Sequence, residues 1–131
     1  MTKTNETTKA IIKYLNYAGH CAFRNNTQGT YDPTRKVRRR LPSWHGARGS
    51  GDVICCLRGG GYMEVEVKTG GDALSPEQID RHDKIRDLGG IVLVVKDLDD
   101  FMEQFGKAAP QAWAVCLRRA DRKPRQKKPP V

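Results

Sequence analysis

Three charged residues occupy alternate positions of an otherwise valine-rich run, Glu64, Glu66 and Lys68 in YMEVEVKTGG. A β-strand turns successive side chains to opposite faces, so these charges share one side while Met63, Val65 and Val67 take the other. Like charges so placed repel, and a partner is needed to offset the repulsion. A further carboxylate, Asp52, opens the preceding segment after the small residues GSG. Val53–Leu57 and Tyr62–Thr69 read as β-branched strands joined by RGGG as a hairpin turn. A three-residue turn, Arg58–Gly60, sets Leu57 opposite Gly61 and Asp52 opposite Glu66, whereas a five-residue turn sets Asp52 opposite Lys68. In both cases Asp52, Ile54, Cys56, Glu64, Glu66 and Lys68 share a face. Val53, Cys55, Leu57, Met63, Val65 and Val67 then form an apolar face for packing on helices. A two- or four-residue turn breaks this alignment unless a bulge restores it.

Two carboxylates meeting across neighbouring strands suit Mg2+ or Mn2+, ions that take oxygen ligands and also bind substrate phosphates. Lys68, one pleat away, would orient an attacking water or stabilise charge on a five-coordinate phosphorus. By itself an E-x-K triplet is common, and most instances are solvated strand faces carrying salt bridges. Glu64 reads as a surface partner for a basic residue.

The elements that must position these groups follow from local pattern. Thr4 or Asn5 caps a first helix whose Ile11, Ile12, Leu15 and Ala18 fall on one face, with Gly19 at its end. HCAFRNN reads as a short strand. A long irregular stretch follows, roughly Thr27 to Ser50, rich in arginine with Tyr31 and Trp44 among the cations. Such a loop is either a functional element, suited to phosphate contact and base stacking, or a solvated flexible segment. Ser75, Pro76 and Gln78 in SPEQ form a capping box for a helix running to about Leu88, with Gly89 past its end. Ile91–Val95 reads as a buried strand, and Asp97 caps a short helix through Phe105. QAWAVCL fits strand or helix equally. From Arg118 the tail holds seven Lys or Arg against one Asp, has no apolar face to bury, and is expected to be disordered. The order helix, strand, strand, strand, helix, strand (αβββαβ) describes an α/β fold, a mixed central sheet flanked by helices.

A chain of 131 residues suffices for one domain with a modest core. Its net charge of +9 favours a polyanionic partner, most often nucleic acid. No apolar run approaches membrane-spanning length, and MTKTNETTK lacks a signal-peptide core. Cys21, Cys55, Cys56 and Cys116 show no C-x-x-C spacing and read as reduced thiols of a cytoplasmic protein. A zinc site from His20, Cys21 and His45 fits no usual spacing.

GSGDVI, EVEVKTGG, LSPEQ and LGGIVLVV, with FRNNTQG upstream, resemble the PD-(D/E)XK, restriction-endonuclease-like nucleases. In detail they are similar to the VRR-NUC branch, specifically its short stand-alone members from phages and bacteria, over roughly Glu6 to Phe101. The resemblance implies a restriction-endonuclease-like core within a nuclease domain at 1–117 that includes the basic loop at 30–50, and the basic tail at 118–131 lies beyond that domain. It implies Asp52, Glu66, Val67 and Glu6 as the metal-holding set for Mg2+ or Mn2+, Lys68 as the catalytic group and Gln78 as its support from the following helix. Gln78 also serves the capping box, and Glu6 also suits a helix N-terminus as a favourable charge. Gly51-Asp52 stands where the family often has Pro-Asp, and the basic tail has no family counterpart.

The activity implied is DNA endonuclease cleavage leaving 5′-phosphates, on structured or branched DNA in the manner of Holliday-junction resolvases, by a homodimer in a bacterial or phage-infected cytoplasm. Arg24, Asn25, Arg35, Lys36, Arg38, Arg39, Arg40, Trp44 and Arg48 are the expected nucleic-acid contacts. The rivals are a non-catalytic basic nucleic-acid-binding protein, an RNA-processing nuclease on the same scaffold, and a structural protein tethered by its tail.

Overall fold

The structure, a computed structural model, describes residues 2–25, 30–39 and 42–112. The tail at 118–131, Cys116, most of QAWAVCL, residues 26–29 and Arg40 lie outside the described residues. The chain folds as mixed α/β. Helix α1 (Lys3–Tyr17) is followed by β1 (Cys21–Arg24), a small ribbon of β2 (Thr30–Asp32) and β3 (Val37–Arg39), and a 3-10 turn at Ser43–His45. Then come β4 (Val53–Cys56), β5 (Tyr62–Val67), α2 (Pro76–Asp87), β6 (Ile91–Val95) and α3 (Leu98–Ala108). The main sheet has the order β1-β4-β5-β6, antiparallel except for the β5–β6 pair, which α2 connects in parallel.

The hairpin adopts the three-residue turn. Leu57 N donates to Gly61 O at 2.8 Å, and Val53 pairs with Val65, which carries Asp52 to a position opposite Glu66. The two faces separate as the alternation requires. Val53, Cys55, Leu57, Met63, Val65 and Val67 are all buried in one core with Ile11 and Leu15 of α1 and Phe101 and Phe105 of α3. The two phenylalanine rings stack at 5.4 Å. Helix α2 covers the other face, where its Gln78 and Arg81 bond Glu66 and Glu64. β5 is thus covered on both sides and lies between two strands. That burial is what gives its carboxylates unusual properties.

Two local expectations are corrected. α1 is capped by Thr2, not Thr4 or Asn5: the Thr2 hydroxyl accepts from Asn5 N at 3.2 Å, and the Thr4 hydroxyl instead meets that of Thr69 at 2.5 Å. The stretch read as irregular contains the β2–β3 ribbon. Its strands are three residues long, and β3 is exposed along its whole length, so no burial alternation announces it. The ribbon is held by Asp32, whose carboxylate accepts from Thr34 N and Arg35 N and pairs with Arg39 at 3.1 Å. Lys36 takes a left-handed φ of 55° in that turn. Among the described residues no helix is long and apolar enough to cross a membrane.

Candidate active site

The site lies where β4 begins and β5 ends, beneath the first turn of α2. Each side chain is fixed by a different element. Asp52 sits at the mouth of β4, and its Oδ2 accepts the main-chain N–H of Val67 at 2.8 Å. Glu66 is 5% exposed, and its Oε1 accepts from Gln78 Nε2 at 3.1 Å. Lys68 Nζ stands 3.8 Å from the same oxygen. Gln78 also closes the capping box, with its Oε1 accepting from Ser75 N at 2.9 Å. One amide therefore joins the two roles expected of it: its oxygen caps the helix while its nitrogen orients the carboxylate.

Glu66 Oε2 is buried and has no hydrogen-bond partner among the described residues. A buried acceptor left open is costly and uncommon. Burial, and next the neighbouring Asp52 carboxylate, push the Glu66 pKa up from 4.5 to about 7, against the opposing charge of Lys68 and the Gln78 hydrogen bond. Beside Asp52 the Glu66 carboxyl resists ionising, and near neutrality it keeps its proton unless a cation takes its place. A site with paired oxygen donors, an open buried acceptor and a resisted second charge fits a hard divalent cation. Val67 can contribute only its main chain, since its side chain is in the core. Glu6 is exposed in the first turn of α1. Among the described residues no three His, Cys, Asp or Glu side chains gather as a metal group, so neither Glu6 nor the His20, Cys21 and His45 set is drawn into one.

This raised pKa has a consequence for stability. The folded chain holds a proton on Glu66 that the unfolded chain releases near pH 4.5, so the group's contribution is intact below that value and is lost as pH rises to about 7. In EDTA the loss should reach roughly 3 kcal/mol. Millimolar Mg2+ or Mn2+ should offset it, so the gain in melting temperature on adding metal should be larger at about pH 8 than at about pH 6. Thermal melts at both pH values, with and without metal, check this.

Glu64 is corrected from a surface residue to a wholly buried one, 0% exposed. Its basic partner is Arg81, whose Nη2 and Nε donate to Oε1 at 2.7 and 3.2 Å, and the Tyr62 hydroxyl donates to the same oxygen at 2.5 Å. Burial pushes the Glu64 pKa up, but the Arg81 and Tyr62 hydrogen bonds outweigh it and the carboxyl ends below its usual range. Burial and then the adjoining Glu64 raise the Tyr62 pKa to about 12. Arg81 also donates to Gly46 O, and Gly51 N lies 3.4 Å from Glu64 Oε2. The cluster therefore ties α2 to the loop that delivers Asp52. Close packing completes the tie. A Cβ on Gly51 would stand 2.7 Å from Val65 O, and one on Gly49 would stand 2.5 Å from Glu77 O. Only glycine lets this loop lie against the strand and the helix.

The expected nucleic-acid contacts divide. Trp44 is 83% exposed, and Tyr31 and Arg38, paired across the ribbon, are exposed as well. Lys36 and Arg35 occupy the ribbon turn, and Arg39 is held by Asp32. Arg48 pairs with Glu77 at the start of α2. Arg24 donates to Asn5 Oδ1 at 2.7 Å. Asn25 is turned inward: its side-chain amide donates to Ser50 Oγ and Gly51 O, and its N–H to Asp52 O at 2.9 Å. It braces the strand that presents Asp52. Sequence reasoning missed Arg81 and Asn25 as supports of the site. The signal for Arg81 was its place three residues after Gln78 on the same helix face, above the alternate glutamates of β5. Comparison with family profiles, characterised proteins and solved structures returns no match to this chain.

Proposed function

We propose that the chain is a metal-dependent DNA endonuclease with a restriction-endonuclease-like core, acting on structured or branched DNA. The observation that carries this reading is the meeting of Asp52 and Glu66 across β4 and β5, with the buried Glu66 Oε2 open and Lys68 beside it. The sheet order and the crossing helix α2 are compatible with that core.

Asp52 and Glu66, with the main chain of Val67, would hold Mg2+ or Mn2+. When bound, such an ion neutralises phosphate charge and acidifies a water. The protein's own groups supply the rest. The Val67 N–H fixes the Asp52 carboxylate, and Gln78 fixes that of Glu66, so both are oriented before substrate arrives. The Lys68 ammonium, with a side chain only 22% exposed, orients a water or stabilises the charge growing on phosphorus. The exposed Trp44, Tyr31 and Arg38 offer stacking and phosphate contacts. A chain with one such site would cut both strands as a symmetric homodimer.

The test is incubation of purified protein with linear duplex, single-stranded, flap and four-way DNA, and matched RNA, in Mg2+, Mn2+ or EDTA. Cleavage of DNA that disappears in EDTA supports the reading. Salt-dependent binding without cleavage in either metal would instead identify a non-catalytic nucleic-acid-binding protein, and preference for RNA would identify an RNA-processing nuclease.

A further inference from the structure

Helix α1 carries a second basic surface, separate from the 30–50 segment. A groove of about 400 Å3 is lined by Asn5, Thr8, Lys9, Ile12, Lys13 and Arg24. Every charged residue in that lining is a cation. Among the described residues neither Lys9 nor Lys13 has an ion-pair partner. Asn5, Lys9 and Lys13 lie on successive turns of one helix face, so the lining extends roughly 12 Å along α1. Cations strung along a groove with uncharged Thr8 and Ile12 between them match an extended polyanion better than a compact anion.

The head of the groove adjoins the candidate site through two links. Arg24 pairs with Val53, the residue after Asp52, and its neighbour Asn25 bonds Asp52 O. Asn5 follows Thr4, whose hydroxyl meets that of Thr69, the residue after Lys68. The groove thus leads away from both Asp52 and Lys68, on the α1 side of the sheet, while the Trp44 loop packs on the α2 side.

We propose that this groove holds the phosphodiester backbone of a nucleic-acid strand where it passes from the site, with Lys9 and Lys13 contacting successive stretches of phosphate. The inference rests on the nuclease reading for the strand's path, but its test reads binding alone. The full chain is titrated against fluorescently labelled flap DNA in EDTA over a range of salt concentrations. Lys9 and Lys13 are exposed, so a Lys9→Gln, Lys13→Gln double variant keeps the helix. It should bind roughly tenfold more weakly or worse, with the slope of log affinity against log salt shallower by about 1.5. Lys3→Gln, in the first turn but outside the lining, should leave both quantities unchanged.

If the double variant matches wild type in affinity and slope, the groove is overturned while the nuclease reading stands. Equal losses in Lys3→Gln and the double variant would mean diffuse charge and would overturn it too. A wild-type chain with no salt-dependent binding would overturn both readings.

Discussion

Lys68→Ala should lower DNA cleavage by about a hundredfold to a thousandfold, the usual cost of removing one group that stabilises charge in a transition state. Divalent-ion binding should survive, because Lys68 is a cation and holds no metal itself. Its removal lifts the charge that favours ionised Glu66, whose carboxylate oxygen it approaches at 3.8 Å. The Glu66 pKa should therefore rise further, and metal binding should remain saturable at about pH 8. Single-turnover cleavage at saturating DNA, beside metal titration of the same variant, separates these effects. A variant that cuts as fast as wild type would remove Lys68 from the chemistry.

The second large effect falls on stability. Arg81→Ala strands the wholly buried Glu64 carboxylate without its guanidinium, and breaking such a pair costs about 3–5 kcal/mol. For a domain of this size the melting temperature should fall by roughly 10 °C or more. The remaining Tyr62 hydroxyl and Gly51 N–H cannot neutralise a charge, so Glu64 would take up a proton and its pKa would climb. The Glu64→Leu, Arg81→Met double variant should lose much less than Arg81→Ala alone, since it leaves no buried charge unpaired. Thermal denaturation of the two variants reads the difference. Equal losses would mean that the pair acts through packing and not through charge.

The hairpin register, the apolar face and the capped helix were legible because each rests on short-range rules. Alternation in Val53–Leu57 and Met63–Val67 fixes which side each residue faces, and SPEQ caps its own helix through bonds among Ser75 and Gln78. Ile91–Val95 was legible as a run of branched residues bounded by Gly90 and Lys96. The pairing of Asp52 with Glu66 followed from the register once the turn length was chosen.

What could not be read depends on contacts distant in sequence. Glu64 stands at the same alternation as Glu66, and nothing local distinguishes a solvated carboxylate from one buried under Arg81. The inward turn of Asn25 depends on Ser50 and Gly51, which sequence separation hides. The β2–β3 ribbon is held by one aspartate and its hydrogen bonds, with no buried stripe to reveal it.

On the proposed function, Asp52 and Glu66 jointly bind one divalent ion. Isothermal titration of Mn2+ into metal-free protein, beside Asp52→Asn and Glu66→Gln, tests it most directly. We predict saturable binding of a single ion per chain at about pH 8, abolished or weakened at least tenfold in each variant. Mn2+ heats that do not saturate, or that are the same in all three proteins, would contradict it.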